Sequence, residues 1–134
     1  MEPPDRARLI EEAKKAREMA VAPFSGFRVG AALLTGDGTI VHGCNIENCT
    51  YGLTVCAERV AVFSALATGH RNFASIAVVT QSEHPSSPCG PCRQILWEFC
   101  GDIPVVLANL EGETRRTSVG ELFPLPFDFK PEDR

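Results

Sequence analysis

No stretch of this sequence is apolar for the roughly 20 residues that a membrane-spanning helix takes, so a membrane span is not expected. Basic residues are not in excess: the formal net charge is −4 and the isoelectric point is near 5.4. Nucleic-acid binding draws on a basic face, so no nucleic-acid partner is expected. Residues 1–12 hold no apolar stretch of the kind a secretory leader needs. There is no internal repeat and no linker, which leaves one domain over residues 1–134. The histidines His42, His70 and His84 stand singly and read as strand-end or loop residues rather than ligands.

The chain does hold 44% hydrophobic and 22% charged residues, the balance of an ordinary globular protein. Two of its six cysteines form a close Cys-x-x-Cys pair, and nothing suggests secretion. That favours reduced thiols, metal binding and a cytoplasmic setting over disulfides.

In chain order, residues 1–4 read as a disordered tip. A helix starts at Asp5, its N-cap, and ends before Pro23 and Gly26. Leu9, Ala13, Ala16 and Ala20, widened by Ile10 and Met19, form its apolar stripe; Glu11, Lys14, Lys15 and Glu18 face water. Residues 27–34 and 40–43 read as strands around a turn at 35–39. Residues 45–52 form a polar loop of the kind that often carries function. A helix over 55–67 has apolar residues nearly all round, Phe63 included, and should be largely buried. A buried strand at 75–80, a helix at 89–99 closed by Gly101, a strand at 103–108 and an edge strand within 110–117 follow. Ser118 and Glu121 fit a capping box for a last helical turn. The pattern predicts an α/β fold, a mixed five-stranded sheet covered by helices on both faces.

Three cysteines and a glutamate stand out: Cys56-Ala57-Glu58 and, 33 residues on, Cys89-Gly90-Pro91-Cys92. Zinc takes Cys in tetrahedral geometry, and a catalytic site supplies three protein ligands while leaving a fourth position open. Cys89 and Cys92 share one face of a first helical turn, and Cys56 makes the third ligand. Helix N-termini lower thiol pKa values, so all three are expected to ligate as thiolates. Glu58 stands close enough to reach a water in the open position without ligating. Three thiolates leave net negative charge, and Arg59 is the expected donor to a ligand sulfur.

With Pro23-Phe24-Ser25-Gly26-Phe27, Gly43-Cys44-Asn45-Ile46-Glu47-Asn48, Cys56-Ala57-Glu58-Arg59 and Ser87-Pro88-Cys89-Gly90-Pro91-Cys92-Arg93-Gln94, the chain resembles the short, single-domain, zinc-dependent cytidine deaminases over about 23–127. The resemblance implies a three-layer sandwich holding one Zn²⁺ per chain, with Glu58 as proton carrier. It implies hydrolysis of cytidine and deoxycytidine to the uridines with release of ammonia, in pyrimidine salvage. It places Asn45 and Glu47 on the ribose, Phe27 against the base, the Ala57 N–H near the pyrimidine carbonyl, and Phe127 closing the pocket. It also implies a homotetramer whose active sites lie at subunit interfaces, with Cys49 and Tyr51 near a neighbour's substrate. Cys49 departs from the small Ala expected there. The tail over 122–129, with Phe123, Phe127 and Phe129, is too apolar to stand in water as one patch and is expected to reach a neighbouring pocket.

Competing readings fit fewer residues. A structural zinc site wants a fourth ligand, but Leu53 and Arg59, not cysteines, stand three residues either side of Cys56. Cys-Gly-Pro-Cys suits a thiol redox motif, which gives Cys56-x-Glu58 and Asn45-x-Glu47 no role. RNA-acting deaminases usually place His at the first ligand and carry basic surface, whereas guanine and blasticidin-type deaminases remain as alternatives within the superfamily. Cys44, Cys49 and Cys100 read as small buried hydrophobes.

Overall fold

The computed structural model describes residues 3–128, and side chains from Asp5 on; Phe129 lies outside the described residues, as do the first two residues of the expected N-terminal tip. Helix α1 (Pro3–Arg17) leads into the hairpin β1 (Val29–Thr35) and β2 (Ile40–Cys44). After a single 3-10 turn at Tyr51–Leu53 come α2 (Ala57–Ala67), β3 (Phe73–Thr80), α3 (Gly90–Cys100), β4 (Pro104–Asn109), β5 (Thr114–Ser118) and α4 (Val119–Leu122). The five strands form one sheet in the order β2-β1-β3-β4-β5. Only β3 and β4 run parallel; the remaining neighbours are antiparallel. The expected mixed five-stranded α/β fold is what forms.

Alternation along the central strands sets the layers. Leu33, Ile76, Val78, Val105 and Leu107 point to the face covered by α2 and α3. Ala32, Ala77, Val79 and Val106 point to the other, where Leu9 and Ala13 of α1 pack. Strands buried on both faces read as unbroken apolar runs, which is why Ile76-Ala77-Val78-Val79 was legible. Each fully buried Leu, Ile or Val contributes about 1.5–3 kcal/mol.

Two glycines let the helices lie directly on the sheet backbone. A Cβ at Gly30 would stand 2.0 Å from the Ala13 carbonyl oxygen, and one at Gly43 2.2 Å from that of Ala57. Gly43 thus seats the first turn of α2, with its chemistry-bearing residues, against β2.

Several expectations are corrected. The first helix begins at Pro3, so Asp5 lies in its first turn and is not the N-cap; proline suits that turn because its missing N–H would have no helical partner. It ends at Arg17, with Glu18, Met19 and Ala20 closing back by i→i−3 bonds, so Met19 is exposed rather than part of the stripe. The chain breaks there because Val21 must turn to exchange backbone bonds with Asn45 and Glu47. Arg17, a charge on a helix read as apolar at that face, is buried and donates to the Arg28 carbonyl (3.0 Å) and the Gln81 side chain (3.1 Å). Helix α2 is not buried all round: Phe63 is 43% exposed, because only one side of the helix meets the sheet. Cys49, in the polar loop, is exposed, not a buried hydrophobe. The capping box is half formed: the Ser118 hydroxyl accepts from the Glu121 N–H, while the Glu121 carboxylate turns to the Thr117 hydroxyl.

Candidate metal centre and active site

Two helix starts and one loop assemble the site. Cys56 is the N-cap of α2 and Cys89 that of α3, both in extended backbone conformation. Neither side chain caps its helix, so neither sulfur is taken up by the backbone N–H groups there. Cys92 sits in the first turn of α3, fully buried. All three Sγ atoms lie within 4.8 Å of one another. Cys56 and Cys89 are 3.7 Å apart, Cys89 and Cys92 3.3 Å. Tetrahedral Zn–S bonds of about 2.3 Å require sulfurs roughly 3.8 Å apart. The donor set therefore fits a zinc ion.

Charge supports the same conclusion. The neighbouring Cys92 thiol and the Arg59 guanidinium, whose Nη2 donates to Cys56 Sγ at 3.2 Å, pull the Cys56 pKa down to about 5. Cys92, beside that thiolate and buried, is pushed up. Sulfurs packed this closely cannot all carry charge unless a cation lies among them.

Beside the thiols opens a cavity of about 280 Å³. Phe27, Asn45, Glu47, Cys56, Ala57, Glu58 and Cys89 all line it, so one cavity collects most of the expected site residues. Glu58 is 5% exposed, and burial, reinforced by the Cys56 charge, raises its pKa to about 7. A carboxyl poised there both takes and gives protons near neutrality. Ala57 begins α2, where backbone N–H groups lack helical acceptors.

Asn45 and Glu47 are already engaged by the chain. Asn45 Oδ1 accepts the Val29 N–H and its Nδ2 donates to the Phe27 carbonyl, both at 2.8 Å. Glu47 Oε1 accepts the N–H groups of Phe24 (2.9 Å) and Ser25 (3.1 Å), and Oε2 the Ser25 hydroxyl. Those bonds hold the Glu47 pKa below the usual carboxylate value, the Ser25 hydroxyl first. Phe127 does not line the cavity of its own chain; it is exposed, its carbonyl accepting from Gln94 Nε2 at 3.1 Å.

Sequence reasoning missed Ser25, Thr54, Thr80, Ser86 and Ser87 as cavity residues. Position was the available signal for two of them: Ser86 and Ser87 immediately precede the Pro88-Cys89 step. Thr80 ends β3, at the carboxyl end of a parallel pair, where α/β proteins place ligands.

A family model described as the cytidine and deoxycytidylate deaminase zinc-binding region matches residues 3–108. The chain belongs to this family. The chain is 55% identical to a cytidine deaminase of Sporosarcina psychrophila over 130 residues, 96% of this chain and 94% of that one. The crystal structure of a cytidine deaminase from Burkholderia pseudomallei superposes with a TM-score of 0.89 at 55% identity, covering 90% of this chain and 98% of that one. A blasticidin-S deaminase of Bacillus cereus is 35% identical over 107 residues, 74% of this chain and 76% of that one.

Proposed function

We propose that this chain is a zinc-dependent cytidine deaminase that hydrolyses cytidine and deoxycytidine to the corresponding uridines and ammonia. The observation that carries the proposal is Glu58: a carboxyl buried in the cavity wall, two residues past one thiol of the metal cluster. Cys56, Cys89 and Cys92 hold one zinc. When bound, it supplies a Lewis acid that makes water a stronger nucleophile at neutral pH.

The remaining chemistry belongs to the chain's own side chains. Glu58 takes a proton from the attacking water and delivers it to N3 of the pyrimidine. The water oxygen bonds to C4. Glu58 then moves a proton to the 4-amino group, the C4–N bond breaks, and ammonia leaves. Atoms balance with water as the only co-reactant.

Phe27 lies against the base, and the Ala57 N–H donates to the pyrimidine carbonyl. Arg59 draws charge from the Cys56 sulfur. Asn45 and Glu47 receive the ribose with the capacity their bonds within the chain leave: a carboxylate offers about four acceptor positions, and three are used here. We further read residues 1–134 as one catalytic domain, working in the cytoplasm in pyrimidine salvage as a homotetramer. The tetramer reading is supported by the apolar side chains left exposed on the chain, among them Phe24, Ile46, Tyr51 and Leu53, and by Phe127. In it, Phe127 closes a neighbour's pocket.

Glu58→Gln tests the core of this reading. It keeps the shape but cannot shuttle a proton. It should retain zinc and bind cytidine, while ultraviolet-monitored turnover falls by roughly 10²–10⁴-fold. Near-normal turnover would refute the role. Running blasticidin S beside cytidine in the same assay separates the two named activities, and a strong preference for blasticidin S would overturn the substrate assignment.

A further inference from the structure

Of the three sulfurs, Cys89 is the one least held by its own element. Cys92 is buried within the first turn of α3. Cys56 starts α2, which Gly43 seats on β2. Cys89 is exposed and stands at the boundary between α3 and the irregular loop over 81–88. Loop carbonyls have no ladder to bond to, and an unbonded one leaves the chain free to drift.

Arg93, one residue past Cys92, supplies what that loop lacks. Its Nε donates to the Pro88 carbonyl at 2.8 Å, and Nη2 to the Ser87 hydroxyl at 3.0 Å. Its backbone N–H also donates to the Cys89 carbonyl at 3.0 Å. One residue thus grips all three positions that deliver the Cys89 sulfur. The third arm points elsewhere: Nη1 donates at 2.5 Å to the carbonyl of Leu122, which ends α4. Gln94, next along, donates to the Phe127 carbonyl and holds the segment beyond.

We infer that Arg93 is a positioning residue that sets the Cys89 sulfur for the metal and ties it to the C-terminal segment through one guanidinium. The inference rests on the three-thiol metal reading above. A planar fork with five N–H donors can serve three acceptors at once; a lysine ammonium has the charge without the fork. Loss of the fork frees Ser87-Pro88-Cys89 and Leu122 together, so metal retention and tail order should fall together.

The test follows zinc release from purified, zinc-loaded protein into an excess of a chromophoric chelator, well below the melting temperature, with limited proteolysis of residues 122–128 alongside. Arg93→Ala should release zinc at least about 10-fold faster than the parent and be cut faster in the tail. Arg93→Lys, which serves fewer acceptors, should fall between. Gln94→Ala should loosen the tail while keeping parental zinc release. Parental zinc release in Arg93→Ala overturns the inference; if that variant does not fold, parental release in Arg93→Lys does so. It is also overturned if Gln94→Ala speeds zinc release as much as Arg93→Ala, since tail docking rather than the fork would then hold the metal. A parent that carries no zinc overturns the metal reading itself, and is seen before any variant is compared.

Discussion

Gly43→Ala should damage the active site from a position that touches no substrate. The added Cβ would stand 2.2 Å from the Ala57 carbonyl oxygen and 2.5 Å from the Ala61 nitrogen. A non-bonded carbon and oxygen need roughly 3.3 Å, so α2 must back away from β2 by about 1 Å. Both obstacles are helix backbone, which cannot swing aside as a side-chain tip would. Overpacking of this kind costs about 1–3 kcal/mol. With an unfolding entropy of about 2.1 cal/mol/K per residue, a chain of this length should lose about 4–11 °C in melting temperature. The displacement carries Cys56 and Glu58 away from Cys89 and Cys92, which ride on α3. A 1 Å misplacement of reacting groups can cost about 10²-fold in rate. Gly30→Ala is the matched control: its Cβ would meet the Ala13 carbonyl at 2.0 Å, but on the α1 face of the sheet. Both variants should melt early, and only Gly43→Ala should lose zinc and kcat/KM heavily. Equal kinetic losses in the two, or a Gly43→Ala protein with parental melting and kinetics, would refute the argument that helix seating sets the site.

Cys89→Ala should lose the metal while Cys100→Ala keeps it, measured as zinc per chain; the reverse would show that the ligands are misassigned. Asp37 tests a local pH dependence: hydrogen bonds from the Thr35 and Thr39 hydroxyls and the Thr39 N–H lower its pKa from 3.8 to about 2. The turn's contribution is therefore complete above about pH 4 and lost as pH falls through 2, so melting temperature should drop less steeply over that window in Asp37→Asn than in the parent; parallel curves would remove Asp37 from the account. Light scattering after size exclusion should show a tetramer, and truncation after Phe123 should cost activity; a fully active monomer would end the shared-site reading, and a fully active truncated tetramer would take Phe127 out of the pocket.

What was legible from sequence was whatever one segment decides by itself. Ile76 to Val79 could only be a strand covered on both faces, and Gly101, at φ +75°, could end α3 where a side chain would be strained. Cys56, Cys89 and Cys92 could be chosen from spacing because helix starts present side chains in a known direction. What escaped was set by contacts between segments. Arg17 is buried because Arg28 and Gln81, distant in sequence, offer acceptors. Helical periodicity records which positions are apolar but not whether a partner covers them, so Phe63 read as core and is exposed. Ser86 and Ser87 stand next to Pro88-Cys89 in sequence, but that they line the cavity depends on how the loop ahead of α3 is held.

The polar groups assigned to the sugar show the same dependence more sharply. Asn45 bridges the Phe27 carbonyl and the Val29 N–H, so the amide that faces the cavity also fixes the segment that carries Phe27 into β1. Glu47 gathers the Phe24 and Ser25 N–H groups and the Ser25 hydroxyl, and that hydroxyl in turn accepts the Phe27 N–H. Both side chains therefore position Phe27 before any ligand arrives. In the proposed binding mode, removing either would take away a ribose contact and also loosen the wall that Phe27 forms. In that binding mode, recognition of sugar and base is one property, not two that could be varied separately. A change at Asn45 or Glu47 should move binding and turnover together, because preorganised walls contribute to both.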